Sequence, residues 1–322
     1  MNISEFTNQM NEWGHEKVPF VFIVDFEMEK PVIMRMSDVN PLDIMFDVQG
    51  FSNVQLSSVK QAIAVSSFPD SFEVYKSKFD KVFRHLRYGD SFLTNLTVKT
   101  RIEIDHSLLQ LFSLSKAKYK LYYRNEFLVF SPESFVRIKN NRIHSFPMKG
   151  TIDATIHDAR NLVLNNEKEI AEHVTIVDLI RNDLSRVSSG VDVTRFRYID
   201  EIRSSNKTLL QVSSEIVGEL PPGYLSHLGD IFFRLLPAGS ITGAPKPRTV
   251  EIIREAENEK RGYFTGVFGY FDGTNLDSGV MIRYIERAGN QYFYRSGGGI
   301  TTRSKAETEY KEVLDKIYVP VD

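Results

Sequence analysis

Three glycine-bearing segments, two pairs of glutamates, one lysine and one further glutamate carry the residue types from which a reaction centre could be built. The segments are PMKGT (147–151), GSITGAPK (239–246) and SGGGITT (296–302). Glycine lets the backbone approach a ligand closely and aim successive N–H groups at an anion. None of the three fits GxxxxGK followed by Ser or Thr, or GxGxxG, so phosphate-loop and dinucleotide readings are weak. Each alone reads more readily as a plain turn. Glu169 and Glu172 lie three apart on a predicted helix, and Glu309 and Glu312 repeat the spacing near the C-terminus. Such pairs project from one helix face. Brought together, they would suit Mg²⁺, a hard cation that prefers carboxylate and water oxygens. Left apart, each pair is solvated surface. Lys149 sits between Pro147-Met148 and Gly150. Burial there would lower its pKa and free an amine nucleophile, whereas an exposed strand lysine would do neither. Glu133 follows the apolar run FLVF. Burial would keep its carboxyl neutral and ready to protonate a leaving group. The seven histidines show no HExxH-type spacing and receive no role.

These residues need a scaffold, and strand-like segments dominate the chain. VPFVFIVDF (18–26) and PVIMRM (31–36) are short and apolar. Residues 119–130, 134–146 and 281–296 read as hairpins about Arg124-Asn125, Asn140-Asn141 and Gly289-Asn290. Hairpins imply antiparallel pairing. Helical periodicity covers 72–86, with Gly89 as a stop, and 157–184, with Leu162, Ile170, Val174, Val177, Ile180 and Leu184 on one stripe. Pro247 opens a third helix through about Ala256. Ser304 and Glu307 have capping-box spacing for a last one. The pattern predicts an α+β fold with helices covering antiparallel sheets.

Composition narrows the function. The 322 residues hold 40 basic and 42 acidic side chains, a net charge of −2, which gives no footprint for a nucleic acid. The chain has no cysteine, so disulfides, zinc ribbons, iron–sulfur clusters and thiol nucleophiles are excluded. The N-terminus lacks a basic-then-apolar leader, and no apolar run reaches the roughly 18–20 residues of a membrane span. These features predict a cytoplasmic protein with no membrane partner. No repeat or linker is evident, which predicts a single domain over 1–322.

Together, SPES (131–134), PMKGT, EHVTIVDLIRNDLSRV (172–187), GSITGAPKPRTVEII (239–253), RGYFTGVFGYF (261–271) and SGGGITTRSKAETEYKEVLDK (296–316) are far more specific than any one of them. Their order and spacing resemble those of the chorismate-utilising enzymes over roughly residues 80–320, with residues 1–80 as a shortened N-terminal part. The resemblance implies two antiparallel sheets packed face to face with helices outside. It is nearest to the aminodeoxychorismate synthase component I branch, which carries lysine in P-x-K-G-T where other branches usually carry alanine. The resemblance implies that Lys149 attacks ring carbon C2 of chorismate while Glu133 protonates the departing 4-hydroxyl. Ammonia then adds at C4. It further implies Mg²⁺ ligation by Glu172 and Glu312, with Glu169 and Glu309 acting through water. Gly150, Thr151, Gly297, Gly299, Tyr263, Arg283 and Lys316 are implied substrate contacts, with Thr242 a weaker one. Arg295 matches no family contact and is left as an ordinary strand residue.

Two departures qualify the resemblance. Gln211 stands where the family usually has histidine, and glutamine cannot hold a proton charge at neutral pH. The N-terminal part shows no match to the inhibitor-pocket segment of tryptophan-regulated relatives, so tryptophan feedback is not expected. Val98 aligns with the lysine base of the isochorismate and salicylate branches, which counts against water addition. Lacking cysteine, the chain cannot release ammonia from glutamine by thiol chemistry, so a separate glutamine amidotransferase subunit is the implied partner. The alternatives are an anthranilate synthase component I and a non-catalytic chorismate-binding protein.

Overall fold

The computed structural model describes residues 1–55, 63–203 and 208–320. Asn140 and Asn141 both have positive φ (53° and 59°) and form the two-residue loop between Ser134–Lys139 and Arg142–Ser145. That conformation matches the natural twist of the flanking strands. Arg124 and Asn125, at 45° and 53°, turn the chain between Tyr119–Tyr123 and Phe127–Ser131. The third hairpin joins Tyr284–Ala288 to Gln291–Ile300.

Among the described residues the strands form two nine-stranded antiparallel sheets. In the first, the order is Met148–Asp153, Thr208–Glu219, Arg142–Ser145, Ser134–Lys139, Leu276–Val280, Val267–Phe271, Phe20–Val24, Val32–Arg35, and Ser189–Arg203 pairs with Thr208–Glu219. In the second, it is Gly243–Ala244, Leu93–Ile104, Gln291–Ile300, Tyr284–Ala288, Phe127–Ser131, Tyr119–Tyr123, Ile44–Val48, Phe51–Ser52, and Val65–Phe68 pairs with Leu93–Ile104. Alternation along Phe20–Val24 shows how the layers stack. Phe20, Phe22 and Val24 join a core with the helices outside the first sheet, whereas Val21 and Ile23 meet Tyr119, Leu121 and Phe127 of the second sheet. Helices Phe72–Tyr88, Lys246–Glu257 and Ala306–Asp315 share a further core over the second sheet.

The helices differ from expectation in three places. Residues 157–184 form two helices, Ala159–Asn165 and Glu167–Ser185, because Asn166 caps the second through the Glu169 N–H. The break resets the helical phase for Leu162, which is exposed; within the second helix the buried stripe runs through His173, Ile176, Val177, Ile180 and Leu184, which leaves Val174 exposed as well. Ala306–Asp315 starts after Lys305 without a side-chain cap, and the Ser304 hydroxyl instead accepts from the Thr301 N–H, so the expected capping box does not form. An unexpected helix, Ile3–His15, opens the chain with an Asn2/Glu5 capping box and buries Phe6, Met10 and Trp13. Among the described residues no helix is long and apolar enough to cross a membrane.

One buried ion pair ties these layers together beneath the site. Arg261 donates to both Glu257 oxygens (2.6 and 2.9 Å) and to the carbonyls of Ile241 and Asn95. Glu257 also accepts from the N–H and hydroxyl of Thr97. With every group bonded, the pair joins the helix Lys246–Glu257 to the strand Leu93–Ile104 and to the 239–242 turn. Replacing one partner strands a buried charge, which costs about 3–5 kcal/mol. Glu257→Ala is therefore expected to lose about that much stability in urea unfolding, and an unchanged midpoint would contradict this.

Candidate functional site

A cavity of about 490 Å³ is walled by both sheets, by the helices Glu167–Ser185 and Ala306–Asp315, and by the 239–242 turn. Lys149, Glu133, Gly150, Thr151, Thr242, Arg283, Gly297, Gly299 and Lys316 line it, as do Glu169, Glu172, Glu309 and Glu312. The structure thus brings together residues spread over more than 180 positions, from Glu133 to Lys316. Tyr263 is the exception. Its hydroxyl donates to the Lys30 carbonyl and its ring packs on Phe127, while its neighbours Phe264 and Thr265 face the cavity. The sequence pattern locates that turn without showing which side chain points inward. Val98 is buried among helix-facing apolar residues and is absent from the lining.

Lys149 reaches the cavity from an irregular strand. Met148 pairs with Ser213 and Thr151 with Gln211, so the Lys149-Gly150 segment holds one residue more than its partner. Such a β-bulge re-aims a side chain. Gly150 adopts φ 87°, and a Cβ there would stand 3.3 Å from Glu169 Oε2. Only glycine suits both conditions.

The Lys149 ammonium lies 2.7 Å from Glu172 Oε2. Burial pulls its pKa down, but Glu172, with Glu312 and Glu169 behind it, reverses the effect and holds the proton above the ordinary lysine range. The expectation that burial frees this amine is thereby corrected: the surrounding carboxylates outweigh burial. Lys316 shows the opposite balance. It donates to the Gly297 carbonyl (2.7 Å) and pairs with Glu312 (2.8 Å), yet burial lowers its pKa.

The two helices present their glutamates to the same space, and Glu172 and Glu309 are almost fully buried. Among the described residues no three acidic or imidazole groups converge as a ready-made metal cluster, and Lys149 and Lys316 pair with Glu172 and Glu312. The donors themselves are all carboxylate oxygens, the set a hard cation takes. The residues therefore fit Mg²⁺ in chemistry. SGGGITT, expected as a loop, is largely strand: Ser296 to Ile300 pair with Val98 to Thr94. A Cβ on Gly298 would stand 3.6 Å from both Glu309 Oε2 and Glu312 Oε1, which places this strand against the acid face.

Glu133 follows the strand Phe127–Ser131 and accepts a hydrogen bond from the Ser240 hydroxyl. Burial raises its pKa; Ser240, Lys149 and Lys316 work in the other direction and do not cancel it. The carboxyl is thus biased towards its protonated form. Thr242 lines the cavity, but its hydroxyl donates to the Ala238 carbonyl at 2.9 Å. Arg283 donates to the Lys316 carbonyl at 2.8 Å and takes φ 53°. Gln211 Nε2 lies 3.4 Å from Thr151 Oγ1 and also faces the cavity.

Sequence reasoning misses three further residues. Ser240 is the partner of Glu133, and GSITG offers no signal beyond its glycines. Arg295 is more than an ordinary strand residue: it is nearly buried in the cavity wall, with its guanidinium held by Glu286 at 3.2 and 3.3 Å. His173 is fully buried, its Nε2 2.6 Å from Ser214 Oγ, and burial with Arg197 and Lys149 pushes its pKa down to about 4. It fastens the helix bearing Glu172 to the strand beside Lys149. Its position next to Glu172 was the available signal.

Residues 52–322 match the family described as chorismate binding enzyme. An uncharacterized PabA-like protein of Pasteurella multocida is 46% identical over 323 residues, covering 100% of both chains. Aminodeoxychorismate synthase component 1 of Escherichia coli is 31% identical over 317 residues, covering 92% of this chain and 67% of that protein. The fold resembles the menaquinone-specific isochorismate synthase MenF of Escherichia coli, with a TM-score of 0.72 at 16% identity, over 97% of this chain and 80% of that one.

Proposed function

Because this chain belongs to the chorismate-binding enzyme family, we propose that it is a cytoplasmic 4-amino-4-deoxychorismate synthase. It takes ammonia from a separate glutamine amidotransferase and makes the precursor of para-aminobenzoate for folate synthesis. The observation that carries the reading is Lys149 in PMKGT, whose Nζ shares one cavity with Glu133 and four glutamates. The similarity to aminodeoxychorismate synthases supports it.

Lys149 rests as an ammonium against Glu172 and becomes a nucleophile when that proton passes to solvent. Its amine bonds to C2 of chorismate as the C4–O bond breaks, and Glu133 gives its proton to the departing oxygen. Ammonia adds at C4 and the lysine leaves from C2. Covalent catalysis of this kind splits one hard substitution into two easier ones. Lys316, Arg283 and the amides of Gly150, Thr151, Gly297 and Gly299 hold the substrate's anionic oxygens. Mg²⁺, held by Glu172 and Glu312 with Glu169 and Glu309 behind them, would supply positive charge to a ring carboxylate that otherwise faces four carboxylates. Glu312→Gln is expected to weaken Mg²⁺ binding roughly tenfold or more by calorimetric titration. An unchanged isotherm would refute that assignment.

The deciding experiment incubates the purified chain with chorismate, ammonium and Mg²⁺, then adds a lyase that removes pyruvate. Para-aminobenzoate appearing only after the lyase is the expected result. Fluorescent anthranilate as the main product would make the chain an anthranilate synthase, and binding without turnover would make it a chorismate-binding protein.

A further inference from the structure

A second cavity, of about 30 Å³, lies behind Glu133. Glu133 and Ser240 line both it and the large cavity. Asp183 lines both it and an open groove on the surface, where Lys246 and Arg186 also stand. The small cavity therefore sits between the reaction space and the surface groove, with an acidic residue shared on each side. Its volume suits about one water. Polar partners for a water are present: the two carboxyls, Ser240 and Ser145. Ser145 donates to the Phe135 carbonyl at 3.1 Å, which leaves its oxygen able to accept.

We propose that this cavity holds water that relays a proton from the surface at Asp183 to Glu133. The inference rests on reading Glu133 as the general acid. Substrate filling the large cavity covers the face of Glu133 that meets it. When the C4–O bond breaks, its electron pair takes the Glu133 proton and water leaves. Glu133 is then a carboxylate and must regain one proton per turnover, for which bulk solvent is the source. The path on the far side runs from the groove to Asp183, through the water beside Ser145, to Glu133. The charged groups facing it are Lys246, 2.6 Å from Asp183, with Arg186 beside them, and Lys149 and Lys316 near Glu133. Burial raises the pKa of both carboxyls, so both favour taking up a proton.

Ser145→Val tests this by filling the cavity, and Ser145→Ala by removing the hydroxyl alone. With chorismate, ammonium and Mg²⁺, kcat is expected to fall about tenfold, part of the ~10²–10⁴ that general acid catalysis supplies. KM should hold and the solvent-deuterium effect on kcat should grow, outcomes that a merely structural loss would not produce together. Asp183→Asn should act likewise, but it also removes the counter-ion of Lys246, so the Ser145 variants decide. An active parent with unaffected Ser145 variants overturns the relay alone, and an inactive parent overturns both readings. A defect that vanishes at high ammonium also overturns the relay, because the cavity would then conduct ammonia.

Discussion

Lys149→Ala is expected to reduce ammonia-dependent turnover of chorismate by roughly 10³-fold or more, because it removes the group that forms the covalent bond. The measurement is para-aminobenzoate formed after a coupled lyase. Alanine also removes a counter-ion of the nearly buried Glu172, so a stability loss could mimic a chemical one. Lys149→Arg separates the two. Arginine keeps a positive charge beside Glu172 but stays protonated at any working pH, so it cannot attack carbon. A folded Lys149→Arg protein is expected to bind chorismate and fail to aminate it. Retained turnover in either variant would remove the covalent step.

Glu133→Gln is expected to lower kcat by about 10²–10⁴, the usual contribution of a positioned acid. The sign of its pH dependence follows from burial, which raises the pKa. The acid works only when protonated, so the parent rate should fall as pH rises through that raised value. The glutamine variant should lose this alkaline limb. The parent's stability should fall in the same direction. A carboxyl whose pKa is raised on folding binds its proton more tightly in the folded state, so it opposes folding increasingly as pH climbs above the unfolded value. Glutamine carries no such penalty. Glu133→Gln should therefore unfold no earlier than the parent at neutral pH, which makes a lost rate a chemical loss. An unaltered alkaline limb would assign it to another group.

Much of this arrangement is legible before folding. Asn140-Asn141 and Gly289-Asn290 announce their hairpins because few residues take positive φ cheaply. The helix Phe72–Tyr88 follows from its apolar spacing and from Gly89, which closes it at φ 85°. Site residues are legible through motif order, and all but Tyr263 line one cavity. What stays hidden depends on geometry beyond the local chain. Whether Lys149 is acidified by burial or held protonated by carboxylates depends on helices distant in sequence from PMKGT. The partnership of Ser240 with Glu133 spans 107 positions. The helix Ile3–His15 was within reach, since Asn2 and Glu5 have capping-box spacing and Phe6, Met10 and Trp13 recur at helical intervals.

The extra residue between Met148 and Thr151 makes the chemistry a matter of counting. Side chains alternate along a strand, so deleting Gly150 would put the remaining residues back in step with their neighbour and turn the lysine by half a period. The lysine's identity and charge would survive while its aim is lost. A single-codon deletion at this point would therefore cost the activity while leaving every ionisable side chain of the site in the sequence.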